Sequence, residues 1–279
     1  MVEKDNISRA SLFVTCVVDQ FYPEVGESTV RVLRRLGIDV DFPKDQTCCG
    51  QPAFNSGFRD EAKPIARRFM EIFKDSEYIV SPSGSCVAMV REFYSELFRD
   101  DENMSSAVRS IASKVYELSE FIVDVLGKAE TIDTVCRSIQ PVVDATHRFS
   151  ERRVTYHEAC HLRRELGITT QPKRLIGALQ NVKLVEMEQS EVCCGFGGTF
   201  SVKYPEISAA MLHQKLNNIR NVDPDTVVAC DSTCIMQIEG GFNKNGDEIE
   251  VVHLAQLLDE FTDSTRTLGA LSDEKPSLP

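Results

Sequence analysis

The sequence has 279 residues, ten cysteines, 42% hydrophobic residues and a formal net charge of −12. These values are typical of a folded globular chain and exclude wholesale disorder, and the acidic balance argues against nucleic acid or anionic membranes as main partners. Because no apolar run approaches the ~20 residues of a membrane span and the N-terminus lacks a signal-peptide pattern, we expect a cytoplasmic protein. A reducing cytoplasm keeps cysteines as thiols unless they bind metal or do redox chemistry.

The first half of the chain predicts alternating strands and helices. Short apolar, β-branched runs indicate strands, and apolar residues at helical spacing, with proline and glycine at the ends, indicate helices. In chain order the predicted elements are a strand over 11–18 ending at Cys16, a helix over 24–36, a strand over 38–40, a loop over 43–57, a helix over 60–74, a strand over 78–80 and a helix over 86–98.

The second half repeats this order, with strands predicted over 153–156, 182–186 and 226–229 and a helix over 205–218. Strands that alternate with helices form parallel sheets with helical cover. We therefore predict an α/β fold of two pseudo-symmetric repeats, each a mostly parallel, Rossmann-like sheet. The predicted domains are 10–126 and 151–261, separated by a linker over 127–150 that contains Cys136 and followed by a flexible tail over 262–279.

The cysteines recur in the same order in both halves. A lone cysteine comes first, a Cys-Cys-Gly triplet follows 32 or 33 positions later, and another cysteine lies 37 or 40 positions beyond the triplet's second cysteine. Scattered cysteines would not produce this order twice, so the chain is an internal repeat. The repeated cysteines are Cys16, Cys48, Cys49 and Cys86 in the first half and Cys160, Cys193, Cys194 and Cys234 in the second.

Four thiolates that converge from three loops can enclose a metal ion or an iron–sulfur cluster, because thiolate is a soft ligand that suits both. The lone cysteines lie at or just past predicted strand ends, which is the side of a parallel sheet where ligands bind. A vicinal disulfide or a thiol-redox pair is the competing interpretation of each Cys-Cys pair. The framing of both pairs by further cysteines favours metal, since soft metals require about four ligands.

Four motifs carry a family resemblance: CCGQPAFNSG at 48–57, PSGSC at 82–86, YHEACHL at 156–162 and CCGFGGTFS at 193–201. Over about residues 10–260 the chain resembles the cysteine-rich CCG domain. That domain occurs in a subunit of heterodisulfide reductase, in the iron–sulfur subunit of glycolate oxidase and in lactate-utilisation protein A, which these motifs resemble most.

The resemblance implies an iron–sulfur electron-transfer component that works with other iron–sulfur subunits to oxidise L-lactate to pyruvate. It carries over the eight repeated cysteines as metal ligands. At least one half is expected to hold a cluster, of 4Fe-4S type, with the glycine-rich second half favoured and zinc as the alternative in one half. Two other functions stay open, a heterodisulfide reductase-like thiol–disulfide redox subunit and a zinc-stabilised scaffold.

The chain departs from the heterodisulfide reductase pattern, whose final element is CxxC. The first half has a single cysteine there, Cys86, and in the second half Cys230 stands one residue too far from Cys234. Cys230 is therefore either a further ligand or a buried residue at a strand end. The sequence leaves both interpretations open.

Two further signals lie around Cys160. His157 and His161 fit the H-E-x-x-H pattern of zinc proteases, but that motif requires a helix and a strand is predicted to run into it. These histidines are expected either to make loop-fixing hydrogen bonds or to flank the metal and carry protons. The paired Arg163 and Arg164 are expected on a solvated helix face, with contact to an anionic substrate or partner as the alternative.

Overall fold

Strands and helices alternate through both halves of the chain. The computed structural model describes residues 7–127 and 151–262. Of the predicted linker over 127–150 only Gly127 is described, and of the predicted tail over 262–279 only Thr262, so both predictions lie outside the described residues, as does Cys136.

The strands form two four-stranded sheets with the same order and direction. The first sheet has the order β2-β1-β3-β4 and the second the order β6-β5-β7-β8, and every pairing is parallel. This confirms the predicted α/β repeat. The strands are β1 (Arg9–Leu12), β2 (Asp39–Asp41), β3 (Ile79–Ser81), β4 (Val115–Glu117), β5 (Arg152–His157), β6 (Val182–Leu184), β7 (Thr226–Ala229) and β8 (Glu250–His253).

Helices cover the sheets and connect the strands. The first half contains α1 (Cys16–Phe21), α2 (Pro23–Arg35), α3 (Gln51–Asn55), α4 (Arg59–Phe73), α5 (Gly84–Ala88), α6 (Tyr94–Leu97), α7 (Ser105–Ala112) and α8 (Leu118–Glu120). Single π-helical turns follow α5, over Met89–Phe93, and α8, over Phe121–Val125. The second half contains α9 (Cys160–Arg164), α10 (Gln171–Gly177), α11 (Thr199–Lys203), α12 (Pro205–Arg220), α13 (Ser232–Asn245) and α14 (Leu254–Thr262).

Two predictions about the first half are wrong. The strand predicted over 11–18 ends at Leu12, and Cys16 begins α1 instead of ending a strand, because the Thr15 side chain caps the helix by accepting the Val18 N–H at 3.5 Å. The loop predicted over 43–57 contains α3, which begins directly after Gly50. In both places the chain turns into a short helix at its cysteines.

The hydrophobic core differs in character between the halves. The first half buries an aromatic group in which the Phe13 ring meets Phe69 edge-on at 4.8 Å and Phe73 at 5.8 Å. The core of the second half is mainly aliphatic and continues across α2 and α14, which pack against each other. Within the described ranges, no helix combines the length and the apolar character that crossing a bilayer requires.

Candidate metal centres

The first candidate centre gathers the four repeated cysteines of the first half. Cys16 starts α1, Cys48 and Cys49 precede α3, and Cys86 lies in α5 just after β3. The Sγ atoms of Cys16 and Cys48 are 3.6 Å apart, and the Cys49 thiol contacts both Cys48 and Cys86. The four thiols thus form one connected group beyond the carboxyl ends of β1 and β3.

The second centre repeats this arrangement with the four cysteines of the second half. The Cys193 thiol contacts Cys160 and Cys194, and Cys194 also contacts Cys234. Cys160 starts α9 after β5, and Cys234 lies in α13 after β7. The structure therefore brings all eight predicted site cysteines into two groups of four.

The two centres share a pattern of exposure. Cys16, Cys48, Cys160 and Cys193 are half-buried, whereas Cys49, Cys86, Cys194 and Cys234 are buried. Each group thus has an inner pair of thiols inside the core and an outer pair within reach of solvent. A group bound here would be anchored in the protein and accessible from one side.

Backbone geometry after each Cys-Cys pair points an N–H group at sulfur. The N–H of Gly50 donates to Cys48 Sγ and the N–H of Gly195 donates to Cys193 Sγ, both at 3.4 Å. Both glycines have left-handed φ angles, +89° and +90°, which glycine adopts without a steric cost. Such N–H···S bonds stabilise thiolates and tune bound clusters.

Comparison with known proteins identifies this arrangement. A family model described as "Cysteine-rich domain", named CCG, matches residues 10–91 and 154–239, one copy in each half. The chain is 45% identical over 248 residues to lactate utilization protein A of Shouchella clausii, covering 89% of this chain and 97% of that protein. It is 42% identical to the protein of the same name from Oceanobacillus iheyensis over 250 residues, 90% of this chain and 96% of the relative. The chain belongs to the lactate utilization protein A family of CCG-domain proteins.

The donor set of this CCG protein fits a soft metal. Hydrogen bonds from Cys16 and Cys49 lower the pKa of Cys48 to about 3, and those from Cys160 and Cys194 lower the pKa of Cys193 to about 2. One thiolate is thereby favoured in each group, and thiolate is the form of cysteine that binds metal. Four converging sulfurs are a donor set that suits zinc or an iron–sulfur cluster.

His157 is the last residue of β5, is fully buried and lies beside the second centre. One ring nitrogen of His157, Cys194 Sγ and Cys234 Sγ all lie within 4.8 Å of one another. Burial, followed by the charge of Lys215, lowers the pKa of His157 to about 3, so the ring is neutral. The loop-fixing hydrogen bond expected of this histidine is not made, because neither ring nitrogen has a hydrogen-bond partner among the described residues.

His161 and Arg163 lie on α9, beside Cys160. The Nδ1 atom of His161 is 3.7 Å from Cys160 Sγ, and Arg163 pairs with Glu158. Because His157 lies on a strand and His161 on a helix, the two do not form the helical H-E-x-x-H zinc site, as the sequence predicts.

Cys230 is fully buried at the end of β7. Its sulfur accepts a hydrogen bond from the Tyr156 hydroxyl at 3.6 Å. It does not belong to the group formed by Cys194, Cys234 and His157. This placement favours the interpretation as a buried strand-end residue.

Lys215 is a site residue that our sequence reasoning missed. It is fully buried on α12, and its Nζ donates to the carbonyl oxygens of Gln189 and Ser190, both at 3.0 Å. Burial lowers the pKa of Lys215 to about 8, against the raising effect of the nearby cysteines. The signal in the sequence is a lysine on α12 at the position where the matching helix α4 of the first half carries Phe69.

Proposed function

We propose that this chain is an iron–sulfur electron-transfer component of a cytoplasmic complex that oxidises L-lactate to pyruvate. The observation that carries the proposal is the convergence of four thiols, twice, beyond the carboxyl ends of parallel strands. The relatives named lactate utilization protein A support the pathway. The partners we propose are other iron–sulfur subunits of the same complex.

A bound iron–sulfur cluster would accept and release one electron at a time. Each centre would hold its own metal group through its four cysteines, with the N–H of Gly50 pointed at sulfur in the first centre and that of Gly195 in the second. The outer thiols are partly exposed, which leaves an approach for a partner that donates or accepts the electron. The sequence contains no nucleotide-binding glycine motif after a strand, so we assign the chemistry on lactate itself to a partner.

Zinc in the first half is the second candidate that an observation favours. Cys49 and Cys86 belong to the same buried apolar cluster as Phe13, Phe69 and Tyr94, and the Tyr94 hydroxyl donates to the Cys49 carbonyl at 2.9 Å. Four thiolates that leave no open coordination position on the metal are typical of structural zinc. The second centre, which has polar buried neighbours, is our first choice for the cluster.

Metal analysis of the full chain, purified without oxygen, tests the proposal. We expect iron and acid-labile sulfide, with an electron paramagnetic resonance signal after reduction. Zinc with neither iron nor sulfide would overturn the electron-transfer function and would support the alternative, a zinc-stabilised scaffold.

Cysteine variants test the assignment of the second centre. Cys193→Ser and Cys194→Ser should remove the cluster signal of the second half, because each takes away one of its four sulfurs. Cys230→Ala is the matched control, since it removes a buried cysteine of the same half that lies outside the group. A cluster signal that survives in Cys193→Ser and Cys194→Ser would show that the ligands are wrongly assigned.

Deleting the gene in its host tests the pathway. We expect slow or no growth on L-lactate and normal growth on other carbon sources. Normal growth on L-lactate would contradict a role in lactate oxidation.

A further inference from the structure

The two centres differ in the residue three positions before the first cysteine of each half. In the first half this residue is Phe13, and in the second it is His157; both are fully buried. The Phe13 ring is covered by Phe69 at 4.8 Å, as is usual in an aromatic core. The second half therefore has a side chain that can bind metal, His157, at the position where the first half has Phe13, which cannot.

A second exchange accompanies the first. The glycines of the two Cys-Cys-Gly triplets show which positions of α4 and α12 correspond. Gly50 faces the Ala62 carbonyl of α4 and Gly195 faces the Ser208 carbonyl of α12, so Ala62 corresponds to Ser208. Seven residues further along α4 and α12 stand Phe69 and Lys215. The apolar pair of the first half thus corresponds to a histidine and a lysine in the second.

His253 provides a comparison within the same half. It is also a fully buried histidine at the end of a parallel strand, and both its nitrogens have partners. Nε2 lies 3.0 Å from the Pro82 carbonyl oxygen, and Nδ1 accepts the Ala255 N–H at 3.0 Å. Buried polar groups are normally hydrogen-bonded in this way. His157 has no such partner among the described residues, so its nitrogens are free to bind something the protein itself does not supply.

We propose that a ring nitrogen of His157 is a ligand of the metal group held by Cys160, Cys193, Cys194 and Cys234. The second centre then has five protein donors and the first has four. This inference rests on the proposed function, because it requires the second centre to bind iron. Ligation uses the lone pair of the neutral imidazole, so it releases no proton and transfers no electron.

The position of His157 suits this role. It lies at the end of β5, paired with Ala229 of β7, and these are the two strands that lead to Cys160 and Cys234. Lys215 holds the chain just before Cys193 through its bonds to Gln189 and Ser190. The imidazole and the sulfurs are thus carried on elements that are tied to one another, as a preorganised ligand set requires.

Pulsed electron paramagnetic resonance on the reduced full chain tests the ligation directly. We expect a ¹⁴N hyperfine coupling to the cluster that changes to a ¹⁵N coupling when histidine is labelled with ¹⁵N. The coupling should be lost in His157→Gln and retained in His253→Gln and His161→Gln. His157→Gln should also weaken iron retention by about 10-fold or more, the effect typical of losing a ligand or its supporting contact.

His157→Cys guards against a variant that merely fails to fold. It replaces nitrogen with sulfur at the same place, so we expect the cluster to be retained and the nitrogen coupling to disappear. Iron and sulfide without histidine coupling, or coupling that persists in His157→Cys, would overturn the ligation and leave the proposed function standing. A chain that binds no iron would overturn both.

Discussion

Gly50 and Gly195 have the same backbone conformation but different surroundings. In both halves the left-handed φ turns the glycine N–H toward the sulfur two residues earlier. A Cβ added at Gly50 would meet the Ala62 carbonyl oxygen at 3.5 Å, an ordinary contact. At Gly195 it would meet the Ser208 carbonyl oxygen at 2.6 Å, which the backbone must move to accommodate.

We therefore predict that Gly195→Ala is more damaging than Gly50→Ala. Both carry a left-handed strain of about 1–2 kcal/mol. Gly195→Ala adds an overpacking cost on the order of 1–3 kcal/mol and displaces the second Cys-Cys pair. Urea denaturation of the metal-free variants measures the stability, and iron content per chain measures the site. Equal losses in the two variants would contradict the close approach at Gly195.

At the residue scale, the cysteines could be predicted from the sequence, the role of His157 was left between two interpretations, and Lys215 was missed. The cysteines were identifiable because the same order of a rare residue occurs twice. His157 was noticed within a protease-like motif and was expected either to fix a loop or to flank the metal, whereas Lys215 looked like any other helix lysine. The roles of both residues depend on how deeply the fold buries them, which the sequence does not show directly. An alignment of the two halves would have singled them out, because it places His157 opposite Phe13 and Lys215 opposite Phe69.

The residues that immediately precede α8 and α14 occupy matching positions in the two halves but have opposite chemistry. Glu117 ends β4 and accepts the N–H groups of Ser119 at 2.7 Å and Glu120 at 3.3 Å. His253 ends β8 and accepts the Ala255 N–H through Nδ1. Each side chain satisfies a free N–H at a helix start. Both residues are fully buried, and each accepts the N–H through an atom that can itself bind a proton, so each cap depends on the protonation state of its side chain.

Ionisation of Glu117 should lower the free energy of unfolding as the pH rises. Burial raises the pKa of Glu117 to about 7 from 4.5, so the folded state holds a proton that the unfolded state has lost between these values. The stabilisation is present below pH 4.5 and lost by about pH 7, amounting to at most ~3 kcal/mol. The stability of Glu117→Gln minus that of wild type should therefore increase between pH 5 and pH 8.

Urea denaturation of metal-free protein at pH 5 and pH 8 measures this difference. The exposed Glu71→Gln is the control and should follow wild type at both pH values. Burial lowers the pKa of His253 to about 4, so His253 makes the stability rise with pH, opposite to Glu117. Because both proteins contain His253, the difference in unfolding free energy between wild type and Glu117→Gln reports on Glu117 alone. A difference that does not change with pH would show that Glu117 is ionised in the folded protein.

At the element scale, the long helices and the strand of β7 were predicted well, whereas the turns that carry the first cysteines were not. The strand over Thr226–Ala229 matches the prediction at both ends, and α2 and α4 differ from it by a residue. The apolar residues before Cys16 have the composition of a strand, but Thr15 caps a helix there. The turns that place cysteines are set by such local caps and by packing, which override composition over so few residues.

At the scale of the whole molecule, the turns that carry Cys86 and Cys234 are bonded to each other. The Ser85 N–H donates to Asp231 Oδ2 at 2.9 Å, and the Gly84 N–H donates to the Cys230 carbonyl at 3.4 Å. A Cβ at Gly84 would lie 2.7 Å from the Leu162 side chain of α9, so the two halves approach closely there. The two centres are therefore parts of one framework, and a rearrangement at one interface would reach both.

The second link between the halves is the contact of α2 with α14, which is centred on Asp259. This carboxylate is buried, and it accepts from Arg31 Nε at 2.8 Å, Arg35 Nη1 at 2.7 Å and Ser28 Oγ at 3.1 Å. Arg31 also pairs with Glu27, whose side chain is 68% exposed. The same helix pair thus offers one buried and one exposed acid for comparison.

We predict that Asp259→Ala destabilises the chain by about 2–4 kcal/mol, because it removes a buried acceptor from two arginines at once. Glu27→Ala should cost less than about 1 kcal/mol, since an exposed ion pair is screened by water. Urea denaturation followed by circular dichroism measures both, and iron content shows whether loosening α14 from α2 reaches the centres. If the two variants lose equal stability, the halves are held together by apolar packing between α2 and α14, and Asp259 contributes no more than a surface charge.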